Sequence, residues 1–295
     1  MSMELVAVLR NKELLDQYQR SGVHGIIVNS RFSIKNTFTE EELIIINQYC
    51  RSKKIKFFVC VDALVTESDL EELHKYLDFI KFLKPDVIYF TDLAILTYSK
   101  MKYFDCEMIY DPGPLNTNDL DISFFINQKI GTVLARELTI KEIVEILKKH
   151  PDKIDMQVFG HLRMSYSKRK FLTNYFKEID ENVVVDGVND FTLVEENRSY
   201  KLPIRENKYG TTIYTDYVLL MYEELAYLSR VLKRAIIDTD FISEEIGFEV
   251  IRDIRRLSTE NSKFLSDNMK NSHFYVNFSN GYLYQKTTDK KVENE

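Results

Sequence analysis

The segment QVFGHLRMSYSKRKFLTNYF, residues 157–176, gathers Arg163, Lys168, Arg169 and Lys170 without a single carboxylate, in a chain whose formal charge is −6. Guanidinium and ammonium groups fixed on a loop can grip a carboxylate or a phosphate. Arg163, Tyr166, Arg169 and Lys170 are therefore candidate anion-binding residues, and Arg136 in ARELT joins them. A solvated basic turn that packs FLTNYF against the core explains the same residues equally well. His161 is a candidate general base by virtue of its ordinary pKa, with Glu137 as the acid or base that could work beside it. A local ion pair between Arg136 and Glu137 is the competing explanation.

Other polar residues follow short apolar runs: Asn29, Arg31, Asp62, Asp92, Asp111, Asp238 and Asp240. Asp62 and Asp92 precede helical segments, where an aspartate commonly caps a helix start. Asp111 opens DPGP, a sequence that builds a tight turn on its own aspartate. The carboxylates have no spaced histidine partner, so no metal is assigned. Cys60 lies inside an apolar run, and Cys50 and Cys106 have no histidine nearby, so no thiolate nucleophile is expected. GxSxG, HExxH and P-loop motifs do not occur.

These residues need a frame that brings them together. Apolar runs recur at 5–9, 25–29, 56–61, 87–90, 107–110, 132–135 and 156–159, with 235–241 as an eighth. Each reads as a strand buried on both faces. Helical patterns lie between them and open on capping pairs: Thr39 with Glu42, Thr66 with Asp69, Thr139 with Glu142. Eight parallel strands with crossover helices predict an α/β fold, a (β/α)8 TIM-like barrel with a β-rich insertion before the last strand. LRNKELLD stands where a glycine-rich phosphate loop would follow the first strand, which argues against a dinucleotide-binding sheet.

The predicted organisation is the first seven βα units in 1–164 and the basic segment plus β-rich insertion in 165–216. Closing helices and the last barrel strand follow in 217–280, then a disordered tail in 281–295. Within the insertion, NVVVDGVNDFTLVEENRSYKLPI predicts a hairpin on an Asp-Gly turn, and YGTTIYT a further strand. A helix is expected over 217–234.

Composition sets outer limits. Of 295 residues 44% are hydrophobic, with 9 Gly and 5 Pro, so the chain reads as a globular protein with a substantial core. Its acidity excludes a wholly electrostatic nucleic-acid coat, although a local basic patch remains compatible with it. No membrane and no DNA partner is expected. The amino terminus carries no secretion signal, and the three dispersed cysteines fit a reducing, cytoplasmic location.

VFGHLRMSYSKRKFLTNYF, together with LARELTIKEIVEI at 134–146 and YKLPIRENKYGTTIYT at 200–215, resembles the peptidase U32 family, the collagenase-like proteases. In that family the core of the motif is usually flanked by cysteines, which in several members hold an iron–sulfur cluster. Here the matching positions are Arg163 and Lys170, and no cysteine follows Cys106. An iron–sulfur cluster is therefore not expected, since four thiolates are the usual requirement.

The chain resembles the short, cysteine-free branch. That resemblance implies tRNA modification, namely wobble-uridine 5-hydroxylation with prephenate as a possible co-substrate, and relatives carry out ubiquinone hydroxylation. It also implies tRNA and a longer, cysteine-bearing U32 paralogue as partners. The alternatives are a peptidase, as the family name says, and a non-catalytic subunit of such a paralogue. In each case the expected seat is a cluster of unneutralised cations over the barrel mouth.

Overall fold

A computed structural model describes residues 3–35, 37–186, 191–194, 196 and 200–285. Seven strands come first: β1 Glu4–Val8, β2 Gly25–Asn29, β3 Lys56–Val61, β4 Val87–Phe90, β5 Glu107–Tyr110, β6 Gly131–Val133 and β7 Ile154–Ser167. The excursion holds β8 Thr192–Val194, β9 Lys201–Asn207 and β10 Gly210–Leu220. Then come β11 Arg234–Ile237 and the short β12 Phe278–Ser279. Each of β1 to β6 pairs in parallel with its successor, and β11 lies between β7 and β1. The chain therefore forms a closed eight-stranded parallel barrel.

Among the described residues ten α-helices accompany the strands: α1 Leu15–Ser21, α2 Glu40–Lys53, α3 Leu70–Leu83, α4 Leu93–Met101, α5 Asp119–Asn127, α6 Ile140–Lys149, α7 Phe171–Glu178, α8 Tyr222–Leu228, α9 Glu244–Arg255 and α10 Ser262–Ser272. Thr39 with Glu42, and Thr139 with Glu142, form the expected capping boxes at α2 and α6. Thr66 with Asp69 does the same at the turn leading into α3. Strand periodicity divides the core in two, because alternate side chains face opposite sides of the sheet. Val6, Val8, Ile27, Phe58, Tyr89, Ile109, Val133 and Ile236 fill the barrel, while Leu5, Ala7, Ile26, Val28 and Val59 pack against the helices.

The amino-terminal end of the barrel is sealed by charge. Arg234 of β11 donates to Asp155 at 3.2 Å and to Glu4 at 3.1 Å, and it also binds Glu107. Tyr89 donates to Asp155 at 2.7 Å.

At the carboxyl end β7 does something the other strands do not. Its first residues pair in the barrel with β6 and β11, and its last ones leave the ring to pair antiparallel with β10. Gly160 marks the exit. Its φ is +113°, and a Cβ there would lie 2.1 Å from the carbonyl oxygen of Asp238. Only glycine permits both the left-handed backbone and that contact.

Three expectations are corrected. Residues 217–220 belong to β10, and the helix expected over 217–234 shrinks to Tyr222–Leu228, because pairing with β7 continues through Leu220. Residues 182–185 form no strand; within the expected stretch β8 pairs antiparallel with β9, β9 turns at Lys208 and Tyr209 to pair with β10, and the glycine of the expected Asp-Gly turn lies outside the described residues. Residues 281–285, expected in the loose tail, pack on the barrel: Leu283 is buried and accepts a bond from the Ile140 amide.

Substituting Gly160→Ala is expected to destabilise the fold by at least about 2 kcal/mol in urea denaturation, from backbone strain and displacement of the Asp238 carbonyl. Wild-type stability in that variant would contradict the close approach.

Candidate functional site

A cavity of about 50 Å³ opens at the carboxyl ends of the strands. That is room for about four waters. Its lining includes Asn29, Lys35, Cys60, Asp62, Tyr89, Asp111, Arg136, Gln157, His161, Arg163, Tyr214 and Asp238. Barrel geometry explains the gathering: most of these residues lie at or just beyond the carboxyl end of a strand, Tyr89 and Gln157 point in from β4 and β7 inside the ring, and His161, Arg163 and Tyr214 come from the β7–β10 pairing that leaves it.

The cations are matched by carboxylates. Arg136 makes a forked contact with Asp111, at 3.0 and 3.3 Å, and its Nε donates to Gln157 at 3.2 Å. Gln157 in turn donates to the carbonyls of Phe159 and His161, at 3.3 and 3.0 Å. Arg163 stands 3.7 Å from Asp62, whose other oxygen accepts from the Ser33 hydroxyl at 2.7 Å and the Ile34 amide at 3.1 Å. Lys35 is bound to Asp238. Three cations thus face three carboxylates within the lining. Just outside it, Arg205 of β9 holds Asp240 through two bonds of 2.6 and 2.7 Å.

The resulting fields are asymmetric. Burial opposes the charge on Asp111, yet Arg136 and Arg163 hold its pKa down at about 2. Burial likewise works against Lys35, but Asp238 and then Asp240 more than compensate and raise its pKa. Cys60 is pushed well up by burial, with Asp62 and Asp111 adding to the effect, so its thiol stays protonated. His161 is lowered by burial. Its Nδ1 lies 2.7 Å from the Thr215 carbonyl, which can only accept, so Nδ1 carries the proton and Nε2 is the remaining acceptor.

Arg136, His161 and Arg163 are therefore brought together as the sequence suggested. Arg136 and Arg163 are not the unneutralised cations expected, because the loops after β3 and β5 supply carboxylates to meet them. Arg169 and Lys170 are exposed and lie outside the cavity lining, on the approach to α7. The two positions that replace family cysteines thus diverge, Arg163 into the mouth and Lys170 onto the surface. Tyr166 is half-buried outside the cavity, its hydroxyl donating to the Tyr209 carbonyl at 2.7 Å. Glu137 is exposed and does not join His161 in the lining, so the structure does not assemble that pair.

Asp111 is both a turn residue, accepting from the Gly113 amide at 3.1 Å, and the partner of Arg136. Asp92 caps α4, accepting from Ala94 at 2.9 Å, as expected. Asp62 is no helix cap; it ties down the loop after β2. Sequence reasoning missed Lys35, Gln157, Arg205 and Tyr214. Lys35 was within reach of the strand-end rule, being a few residues past β2, whereas Tyr214 and Arg205 arrive from the excursion and carry no local signal. The three cysteines sit on separate elements and are too few for a four-thiolate cluster.

The family described as Peptidase family U32 matches residues 21–291. The chain belongs to this family. Among U32-like relatives, tRNA hydroxylation protein P2 of Bacillus subtilis is 25% identical over 233 residues, 76% of this chain and 74% of that protein. An uncharacterized protease of Methanocaldococcus jannaschii is 33% identical over 156 residues, 50% of this chain and 37% of the relative. A collagenase of Porphyromonas gingivalis is 25% identical over 164 residues, 52% and 38% respectively. The chain thus spans little more than a third of the length of either of these two relatives. A solved U32 peptidase shares the fold, with a TM-score of 0.52 at 12% identity over 81% of this chain and 93% of its own. No helix among the described residues is long and apolar enough to cross a membrane.

The depressed pKa of Asp111 sets the direction of an acid response. Its contribution is present above the unfolded value near 4 and is lost as pH falls from about 4 to about 2, a loss of about 2 kcal/mol. Asp111→Asn should remove that part of the acid limb in urea denaturation followed across pH, while lowering stability at pH 7. An unchanged acid limb would show that Arg136 does not hold this carboxylate.

Proposed function

We propose that this U32 protein acts in tRNA hydroxylation, as a factor in 5-hydroxylation of the wobble uridine, with the barrel mouth as its ligand site. The observation that carries the reading is the small, polar, charge-matched cavity, in a chain similar to a tRNA hydroxylation protein over about three quarters of its length. Such a cavity is built to hold and orient a polar group. Lys168, Arg169 and Lys170, exposed beside the mouth, are placed to meet RNA phosphate or the acidic face of a larger U32 paralogue. Prephenate would have to displace Asp62, Asp111 or Asp238 from its cation to be held in the cavity, or bind the exposed basic run instead.

Peptide hydrolysis is less well supported by the same geometry. It needs an activated nucleophile and a stabilised oxyanion. Cys60 is held as a thiol, and Glu137 does not reach His161.

Deleting the gene and analysing total-tRNA nucleosides by mass spectrometry is expected to show loss of 5-hydroxyuridine derivatives, restored by the wild-type gene. Unchanged levels would overturn the reading. Binding of tRNA to the protein, with its paralogue present, should weaken steeply with salt through release of counterions.

A further inference from the structure

Two groups in the cavity stand apart from its ion pairs. Tyr214 is 1% exposed and lines the cavity, yet its hydroxyl has no hydrogen-bond partner. A buried hydroxyl left unpaired is costly, so it marks a place where a polar atom belongs. His161 is the second, with Nδ1 committed to Thr215 and Nε2 left as an acceptor.

One device positions both. Phe241 sits in the left-handed region, φ +63°, which an aromatic residue rarely adopts. Its ring meets Tyr214 edge-on at 5.0 Å and His161 at 6.1 Å, with the Arg205 guanidinium 4.7 Å from its centroid. Backbone strain of this kind persists where the surroundings impose it, commonly at ligand sites.

The charge balance decides what could enter. Lys35, Arg136 and Arg163 already have carboxylate partners, so an additional anion would leave the cavity with excess negative charge. An uncharged ligand group leaves those pairs intact. A phenolic O–H and an imidazole lone pair lining one cavity, each packed on the Phe241 ring, complement a carbonyl next to an N–H, the edge that a pyrimidine imide presents.

We propose that Tyr214 and His161 form a neutral donor–acceptor pair that recognises the imide edge of a uracil base at the barrel mouth, Tyr214 donating to a ring carbonyl and His161 Nε2 accepting from N3–H. The choice of uracil rests on the tRNA reading above. The pair is the specificity contact, and the surrounding ion pairs are its rigid frame.

The test uses purified full-length protein labelled with ¹⁵N in its histidines, titrated with uridine, with inorganic phosphate and with N3-methyluridine. Uridine should move the Nε2 resonance of His161, assigned by His161→Gln, while phosphate and N3-methyluridine should not. Tyr214→Phe should keep the wild-type melting temperature within a few degrees and weaken uridine about five- to tenfold, the worth of one hydrogen bond.

No response to uridine, an equal response to N3-methyluridine or phosphate, or unchanged affinity in Tyr214→Phe would each overturn the pair. The tRNA reading is scored separately by the nucleoside spectra of the deletion strain. Loss of hydroxyuridine there with no uridine binding here would leave that reading standing and remove this one.

Discussion

Each of the three cations lining the mouth cavity is met by a carboxylate from another strand or loop, and the shape of the site depends on those meetings. Lys35 beyond β2 reaches Asp238 beyond β11, Arg136 beyond β6 reaches Asp111 beyond β5, and Arg163 on β7 faces Asp62 beyond β3. Such pairs add little net stability over apolar packing, because desolvation offsets much of their attraction. Breaking one is another matter, since it strands a buried charge. Their effect is to lock loops that have no regular backbone pairing into a single arrangement, which is what a binding site requires.

The second constraint is the exit of β7 at Gly160. By leaving the ring there, the strand carries Arg163 over the mouth and recruits β10 and β9 alongside it. Tyr214 and Arg205 reach the barrel end by that route, although they lie far along the chain from the residues they face. The excursion is therefore one wall of the site. Lys168, Arg169 and Lys170 lie exposed at its start, outside the cavity lining.

Much of this was legible in the residues. Apolar runs located all eight barrel strands to within two residues at their starts, and the threonine capping pairs fixed α2, α3 and α6. Asn29, Asp62, Asp111, Arg136, His161, Arg163 and Asp238 followed from the rule that barrel chemistry lies past the strand ends. The pairing among them did not follow. Arg163 and Asp62 are distant in sequence, so the pairing of Arg163 became visible only when the loops met in space, while Lys168, Arg169 and Lys170 stay exposed. The long helix expected after residue 216 failed for a related reason: its first turn had a sheet partner in β7, and tertiary pairing overrode helical periodicity.

A double-mutant cycle on Lys35 and Asp238 tests the balanced-mouth account most directly. Stability of wild type, Lys35→Met, Asp238→Asn and the double variant would be read by urea denaturation. A coupling above about 1.5 kcal/mol, with the double variant more stable than the sum of the single losses implies, is the predicted result for a buried pair. Additive losses would contradict it, and would mean that the lysine stands free at the barrel mouth to receive an anion.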